Sequence, residues 1–123
     1  MTKKQHQYLL VYGSLRKQEY NYYAFKSLFK DELQYINTGI INGYDMYSLG
    51  TFPAIIAGEG SIVVDLIKCS YECYNDILNM ELNANYREET VLYNKKMCKL
   101  FIYNDSNLAN KIPEGDWTKF RNG

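Results

Sequence analysis

Gln7-Tyr8-Leu9-Leu10-Val11-Tyr12 runs straight into Gly13-Ser14-Leu15-Arg16, and this junction sets the plan of the chain. A short, nearly continuous apolar run bounded by glycine and serine predicts a buried strand that ends in a turn. Glycine and serine at that point let the backbone turn closely and aim successive N–H groups outward. Such a nest holds an anion or a developing oxyanion; an ordinary strand-ending turn is the alternative. Arg16 carries two readings as well, a clamp on a bound anion or a structural ion pair that holds the loop.

Working outward from the loop, Asn21 to Lys30 places Tyr22, Phe25, Leu28 and Phe29 at helical spacing with lysines opposite, which predicts a short amphipathic helix. Residues 33 to 68 then change to β-type segments, Gln34 to Ile41, Tyr44 to Leu49 and Ser61 to Lys68. Turns are predicted at Asn42-Gly43, Gly50-Thr51 and Gly58-Glu59-Gly60. The apolar residues Tyr74, Ile77 and Leu78 within Tyr71 to Asn79 predict a second helix that ends near Asn83-Ala84-Asn85, with Glu81 at or just beyond its last turn. Glu89 to Asn94 and Lys96 to Tyr103 predict a closing hairpin about Asn94-Lys95. The expected class is α+β: a mixed, mainly antiparallel sheet curled into a small barrel, with two or three packed helices.

The chain has 123 residues, one histidine, and 14 basic against 14 acidic side chains, for a formal net charge of zero. This length predicts a single domain, residues 1–123, able to bury a core without metal or disulfide staples. Charge neutrality argues against a nucleic-acid coat, and no apolar run is long enough to span a bilayer. Too few apolar residues follow the basic start for a signal-peptide core. Cys69, Cys73 and Cys98 are odd in number and lack a histidine to complete a zinc set, so they read as buried thiols in a reducing, cytoplasmic setting.

The zero charge conceals a division. Residues 1–30 carry six basic groups and one acid (6 − 1 = +5), residues 31–94 two basic and ten acidic (2 − 10 = −8), and residues 95–123 six and three (6 − 3 = +3). If the ends meet in space they form a cationic side able to steer a small anion; solvated charges spread over one surface are the alternative.

His6 near the terminus is the only histidine, so a Ser-His-Asp or Cys-His arrangement has no base to use. Carboxylates, backbone amides and tyrosines remain. Glu81 is flanked by Ile77, Leu78, Met80 and Leu82, a neighbourhood in which desolvation lifts a carboxyl pKa toward the range useful for a base. Asp116 beside Trp117 reads more simply as a turn cap. Tyr20, Tyr22, Tyr23, Tyr44 and Tyr47 offer either a stacking platform for single-stranded nucleic acid or sugars, or ordinary core-edge packing.

Taken in order, Val11-Tyr12-Gly13-Ser14-Leu15-Arg16, Gly43-Tyr44-Asp45-Met46-Tyr47-Ser48-Leu49-Gly50-Thr51-Phe52-Pro53-Ala54, Gly58-Glu59-Gly60, Met80-Glu81 with Tyr86-Arg87, and Gly115-Asp116-Trp117 resemble the gamma-glutamylcyclotransferase-like family. The match extends from residue 8 to 117. The resemblance implies a small barrel-like α+β fold with a cavity between the opening loop and a glutamate. It implies an enzyme that converts a gamma-glutamyl amine or amide, such as a gamma-glutamyl-lysine adduct, to 5-oxoproline and free amine. In that reaction the substrate's own α-amine attacks its side-chain carbonyl. Glu81 corresponds to the catalytic glutamate, and Tyr12, Gly13, Ser14 and Leu15 to the substrate loop; no metal, cofactor, nucleic acid or membrane partner is implied. The chain departs from the family pattern at Asn79, at Leu82 and over Val63-Val64-Asp65-Leu66-Ile67, positions that bear on pocket shape and substrate. A binding or regulatory protein that keeps the pocket without turnover is the alternative. The leaving amine and the oligomeric state are not specified by these motifs.

Overall fold

A computed structural model describes residues 5–123. Strands β1 (His6–Val11), β2 (Leu33–Ser48), β3 (Pro53–Ser70), β4 (Tyr86–Tyr93), β5 (Lys96–Tyr103) and β6 (Lys111–Ile112) form one sheet in the order β4-β5-β1-β3-β2-β6. Helices α1 (Tyr20–Phe29), α2 (Tyr71–Asn83) and α3 (Trp117–Asn122) complete the α+β fold, with a 3₁₀ turn at Lys30–Glu32. The sheet is mixed: β1 runs parallel to β5, and the other pairings are antiparallel. It curls but does not close, since β4 and β6 lie at opposite ends of the strand order, so the expected barrel is an open, curved sheet.

The second half of β1, Leu9-Leu10-Val11, is wholly apolar because it lies between two cores. Leu9 and Val11 join the cluster formed with Tyr22 of α1 and with Cys73, Tyr74 and Ile77 of α2. Leu10 and Tyr12 point the other way, into a cluster with Met46, Ile55, Leu100, Ile112 and Trp117. Side chains two apart share a face, so one strand serves both cores. Leu9 and Leu10 are fully buried, and truncating either to alanine costs about 2–5 kcal/mol by removing contacts and leaving a void.

The structure corrects three sequence expectations about the middle of the chain. Asn42-Gly43 is not a turn: β2 continues through it with a bulge, and Gly43 takes a φ of 97° within the strand. Gly58-Glu59-Gly60 is not a turn either, because β3 runs unbroken from Pro53 to Ser70. These glycines clear space for the Asp45 carboxylate, which accepts from Gly60 N at 3.0 Å and would collide with a Cβ at either glycine. Two long strands therefore replace the expected meander, joined by the anticipated turn at Gly50-Thr51, where Leu49 N donates to Phe52 O at 2.8 Å. Bulges between Tyr35 and Asn37 and between Asn42 and Tyr44 bend this hairpin, which otherwise reaches roughly 50 Å when straight.

Smaller differences follow from local chemistry. Leu28 of α1 is 69% exposed and outside the core, unlike its helical neighbours Tyr22, Phe25 and Phe29. His6 begins β1 opposite Ser70. β4 starts at Tyr86, three residues before the expected Glu89, because Tyr86 pairs with Tyr103 and buries its ring. The three cysteines are buried and unbridged. Among the described residues no helix is long and apolar enough to cross a membrane.

Candidate active site

α2 delivers Glu81. Ser70 caps the helix by accepting from Cys73 N at 3.3 Å, which sets its register from the first turn. Cys73, Tyr74 and Ile77 then form the buried stripe. Met80 and Glu81 continue this stripe at spacings of three and four from Ile77, so the helix must turn Glu81 toward the sheet. Glu81 thus stands within the last turn, and the helix ends at Asn83, at the Asn83-Ala84-Asn85 stretch where the sequence placed its end. Asn79 and Leu82 are exposed and lie outside the cavity lining.

The opposite wall is the loop after β1. Its carbonyls are taken up internally: Gly13 O accepts from Arg16 N at 3.0 Å, Ser14 O from Tyr22 N at 3.1 Å and Arg16 O from Glu19 N at 2.9 Å. Asn21 Nδ2 donates to Ser14 Oγ at 2.7 Å, while the Leu15 side chain enters the core. The amides of Gly13, Ser14 and Leu15 have no acceptor among the described residues. They are consequently free to bind an external anion. A Cβ on Gly13 would stand 2.7 Å from Pro53 Cγ, so glycine there permits the loop to approach the β2–β3 turn.

Between these walls is a cavity of about 120 Å³. Tyr12, Gly13, Ser14, Leu15 and Glu81 all line it, so the structure brings together the five residues singled out from sequence. Phe52, Pro53 and Tyr86 also line it, and sequence reasoning assigned them no role. Tyr86 lies far along the chain from Pro53, yet its hydroxyl donates to Pro53 O at 2.6 Å and fixes the turn; their motifs carry no local sign of that bond. Tyr12 OH similarly donates to Phe101 O at 2.6 Å.

Burial raises the Glu81 carboxyl to about 7. No hydrogen bond or ion pair engages that carboxylate among the described residues, so nothing offsets its loss of water. Burial also pushes the Tyr12 and Tyr86 hydroxyls up, with the Glu81 charge adding to both. Both phenols consequently stay protonated near neutrality, where Glu81 exchanges its proton.

Arg16 lies outside the cavity lining. Its Nη1 reaches Asp116 Oδ1 at 2.9 Å and its Nε lies 3.5 Å from Asp65 Oδ1. The structural reading of Arg16 therefore holds, and none of the described cationic side chains of the first segment lines the cavity. Asp116 is a cap, accepting from Lys119 N at 3.1 Å. The departure at Asp65 is also explained: this carboxylate sits beneath the loop, accepting from Lys17 N at 2.8 Å and Thr38 Oγ1 at 2.7 Å. The tyrosines do not share one face, since Tyr22 is buried in the core while Tyr20 and Tyr23 are exposed.

A curled α+β sheet thus sets one buried carboxylate across a cleft from a loop of amides without acceptors among the described residues. Residues 9–119 match the family described as gamma-glutamyl cyclotransferase, AIG2-like, and the chain belongs to that family. The family includes cyclotransferase enzymes. The fold is shared with the uncharacterized protein PH0828 from Pyrococcus horikoshii at a TM-score of 0.80 and 22% identity, covering 94% of this chain and 92% of that one. It is shared also with protein ytfP from Escherichia coli (TM-score 0.73, 19% identity, 94% and 99% coverage). A structure titled gamma-glutamyl cyclotransferase aligns at a TM-score of 0.60 and 12% identity, over 89% of this chain and 72% of that one. These identities show common fold alone. Comparison with curated proteins yields no match.

Proposed function

We propose that the protein is a cyclotransferase that converts a gamma-glutamyl amine or amide to 5-oxoproline and free amine. The observation that carries this reading is the unpaired Glu81 carboxyl facing a cavity whose other wall offers the free Gly13, Ser14 and Leu15 amides. Membership of a family that includes cyclotransferases supports it.

In the proposed reaction, the glutamyl α-carboxylate or the developing oxyanion is held by the loop amides. Ionised Glu81 takes a proton from the substrate's α-ammonium, and the freed amine attacks the side-chain carbonyl carbon. A C–N bond forms and closes the five-membered ring. As the tetrahedral intermediate collapses, Glu81 returns its proton to the departing nitrogen, whose bond to carbon breaks. A group with a pKa of about 7 serves both steps at neutral pH because both of its forms are populated. Nucleophile and electrophile belong to one molecule, so holding it folded replaces a bimolecular encounter. The ring nitrogen still carries one proton more than a lactam holds; ionised Glu81 takes this second proton and passes it to the released amine, which departs as an ammonium ion, so the proton count closes and the reaction requires no redox step.

The test is to incubate the purified protein with a panel of gamma-glutamyl amines and amides and to measure 5-oxoproline. Release by the wild type and its loss in Glu81→Gln is the expected result. Unchanged release by Glu81→Gln overturns the role of Glu81, and no release from any compound overturns the enzyme reading.

A further inference from the structure

We propose that the amine released is uncharged and apolar beyond its nitrogen, an alkyl or arylalkyl amine, and that Phe52 selects it; this inference rests on the cyclotransferase reading. Among the described residues, Glu81 is the only charged side chain lining the cavity. Arg16, the nearest cation in the loop sequence, is committed to Asp65 and Asp116 and does not line it. An amino-acid leaving group brings a carboxylate, for which the lining offers no cation, and places it in the same cavity as the Glu81 charge. A lysine adduct brings an ammonium as well, and the only carboxylate in the lining is the one that carries the proton of the reaction.

The outer part of the cavity is built for an apolar tail. Phe52 lines it and is nevertheless 50% exposed, which places part of its ring at the mouth. The ring is not free to retreat far, because its backbone is fixed on both sides. Phe52 O accepts from Leu49 N at 2.8 Å, and Pro53 is held by Tyr86 OH at 2.6 Å while standing against Gly13. Met80 of the helix that carries Glu81, and Ala84 just past its end, supply further apolar lining. An alkyl or benzyl group emerging from the scissile nitrogen covers this exposed ring, whereas a charged tail must be stripped of water against it.

The experiment compares kcat/KM for gamma-glutamyl-n-butylamide and gamma-glutamyl-benzylamide with gamma-glutamyl-glycine and the gamma-glutamyl-ε-lysine adduct. The apolar pair is expected to be favoured by roughly tenfold or more, the scale on which apolar pockets discriminate. In Phe52→Ala that ratio is expected to collapse by about tenfold, and Phe52→Leu to restore most of it. Equal or better turnover of the charged substrates overturns the inference and leaves the cyclotransferase reading standing. A Phe52→Ala variant that lowers all four substrates equally overturns the role of Phe52. No 5-oxoproline from any of the four overturns both.

Discussion

Arg16 Nη1 lies 2.9 Å from Asp116 Oδ1, joining the loop after the first strand to the cap of the last helix across 100 positions of sequence. The same guanidinium faces Asp65, which is 2% exposed, through an Nε contact at 3.5 Å that is an ion pair without an aligned hydrogen bond. One cation therefore compensates two carboxylates beneath the substrate loop. Arg16→Ala leaves Asp65 buried with its charge uncompensated and is expected to cost about 3–5 kcal/mol. Asp116→Asn keeps a capping side chain and is expected to cost about 1 kcal/mol or less. Urea unfolding measures both; equal losses contradict the bridging role.

In the proposed reaction Glu81 must be ionised to accept the α-ammonium proton. With its pKa at about 7, kcat/KM is expected to fall as pH drops below 7, approaching tenfold per unit. Glu81→Gln is expected to lower kcat by about 10²–10⁴ and to abolish that acid limb. A wild-type profile flat from pH 5 to 7 removes Glu81 from the proton-transfer step.

The same carboxyl links stability to pH. Its folded pKa of about 7 exceeds the ordinary 4.5, so the folded state binds the proton more tightly. Its stabilising contribution is full below 4.5 and is lost as pH rises through 7. Glu81→Gln removes this loss, so the variant is expected to match the wild type near pH 4.5 and exceed it at pH 8.5. The cleft is open to solvent, which reduces the gain to about 1–2 kcal/mol, or roughly 3–8 °C in Tm. A gap that does not widen with pH shows that Glu81 is not desolvated.

Gly13→Ala places a Cβ 2.7 Å from Pro53 Cγ. The loop and the turn must separate, at a cost of about 1–3 kcal/mol. KM is expected to rise several-fold, because the separation displaces the free amides proposed to hold substrate. Unaltered KM and thermal stability together show that the loop accommodates the methyl group without moving.

Much of the site was legible in the sequence because its determinants are local. An apolar run followed by Gly13-Ser14 predicts a strand and a turned loop, and Ile77 to Glu81 lie on one helical stripe. β5 occupies the expected Lys96–Tyr103. The misread turns at Asn42-Gly43 and Gly58-Glu59-Gly60 have a nonlocal cause. Glycine marks either a turn or a close approach, and here Gly58 and Gly60 make room for Asp45 across the hairpin. Tyr86 and Pro53 stand in the quoted motifs, but their contact was not legible for a similar reason, since the hydroxyl–carbonyl bond between them spans two elements that no period connects.

Sequence by itself determined β1, α1, α2 and β5, the family pattern and the choice of Glu81 and the Tyr12–Leu15 loop, because hydrophobic period and turn chemistry act over a few residues. Tertiary structure alone decided what surrounds them. It turned Arg16 away from the cavity and onto Asp65 and Asp116, left the sheet curled but open, and set Phe52 at the mouth. It also left Glu81 without a partner in a cleft where burial raises its pKa to about 7. A carboxylate's chemistry depends on its hydration and its neighbours, and those are properties of the packed chain.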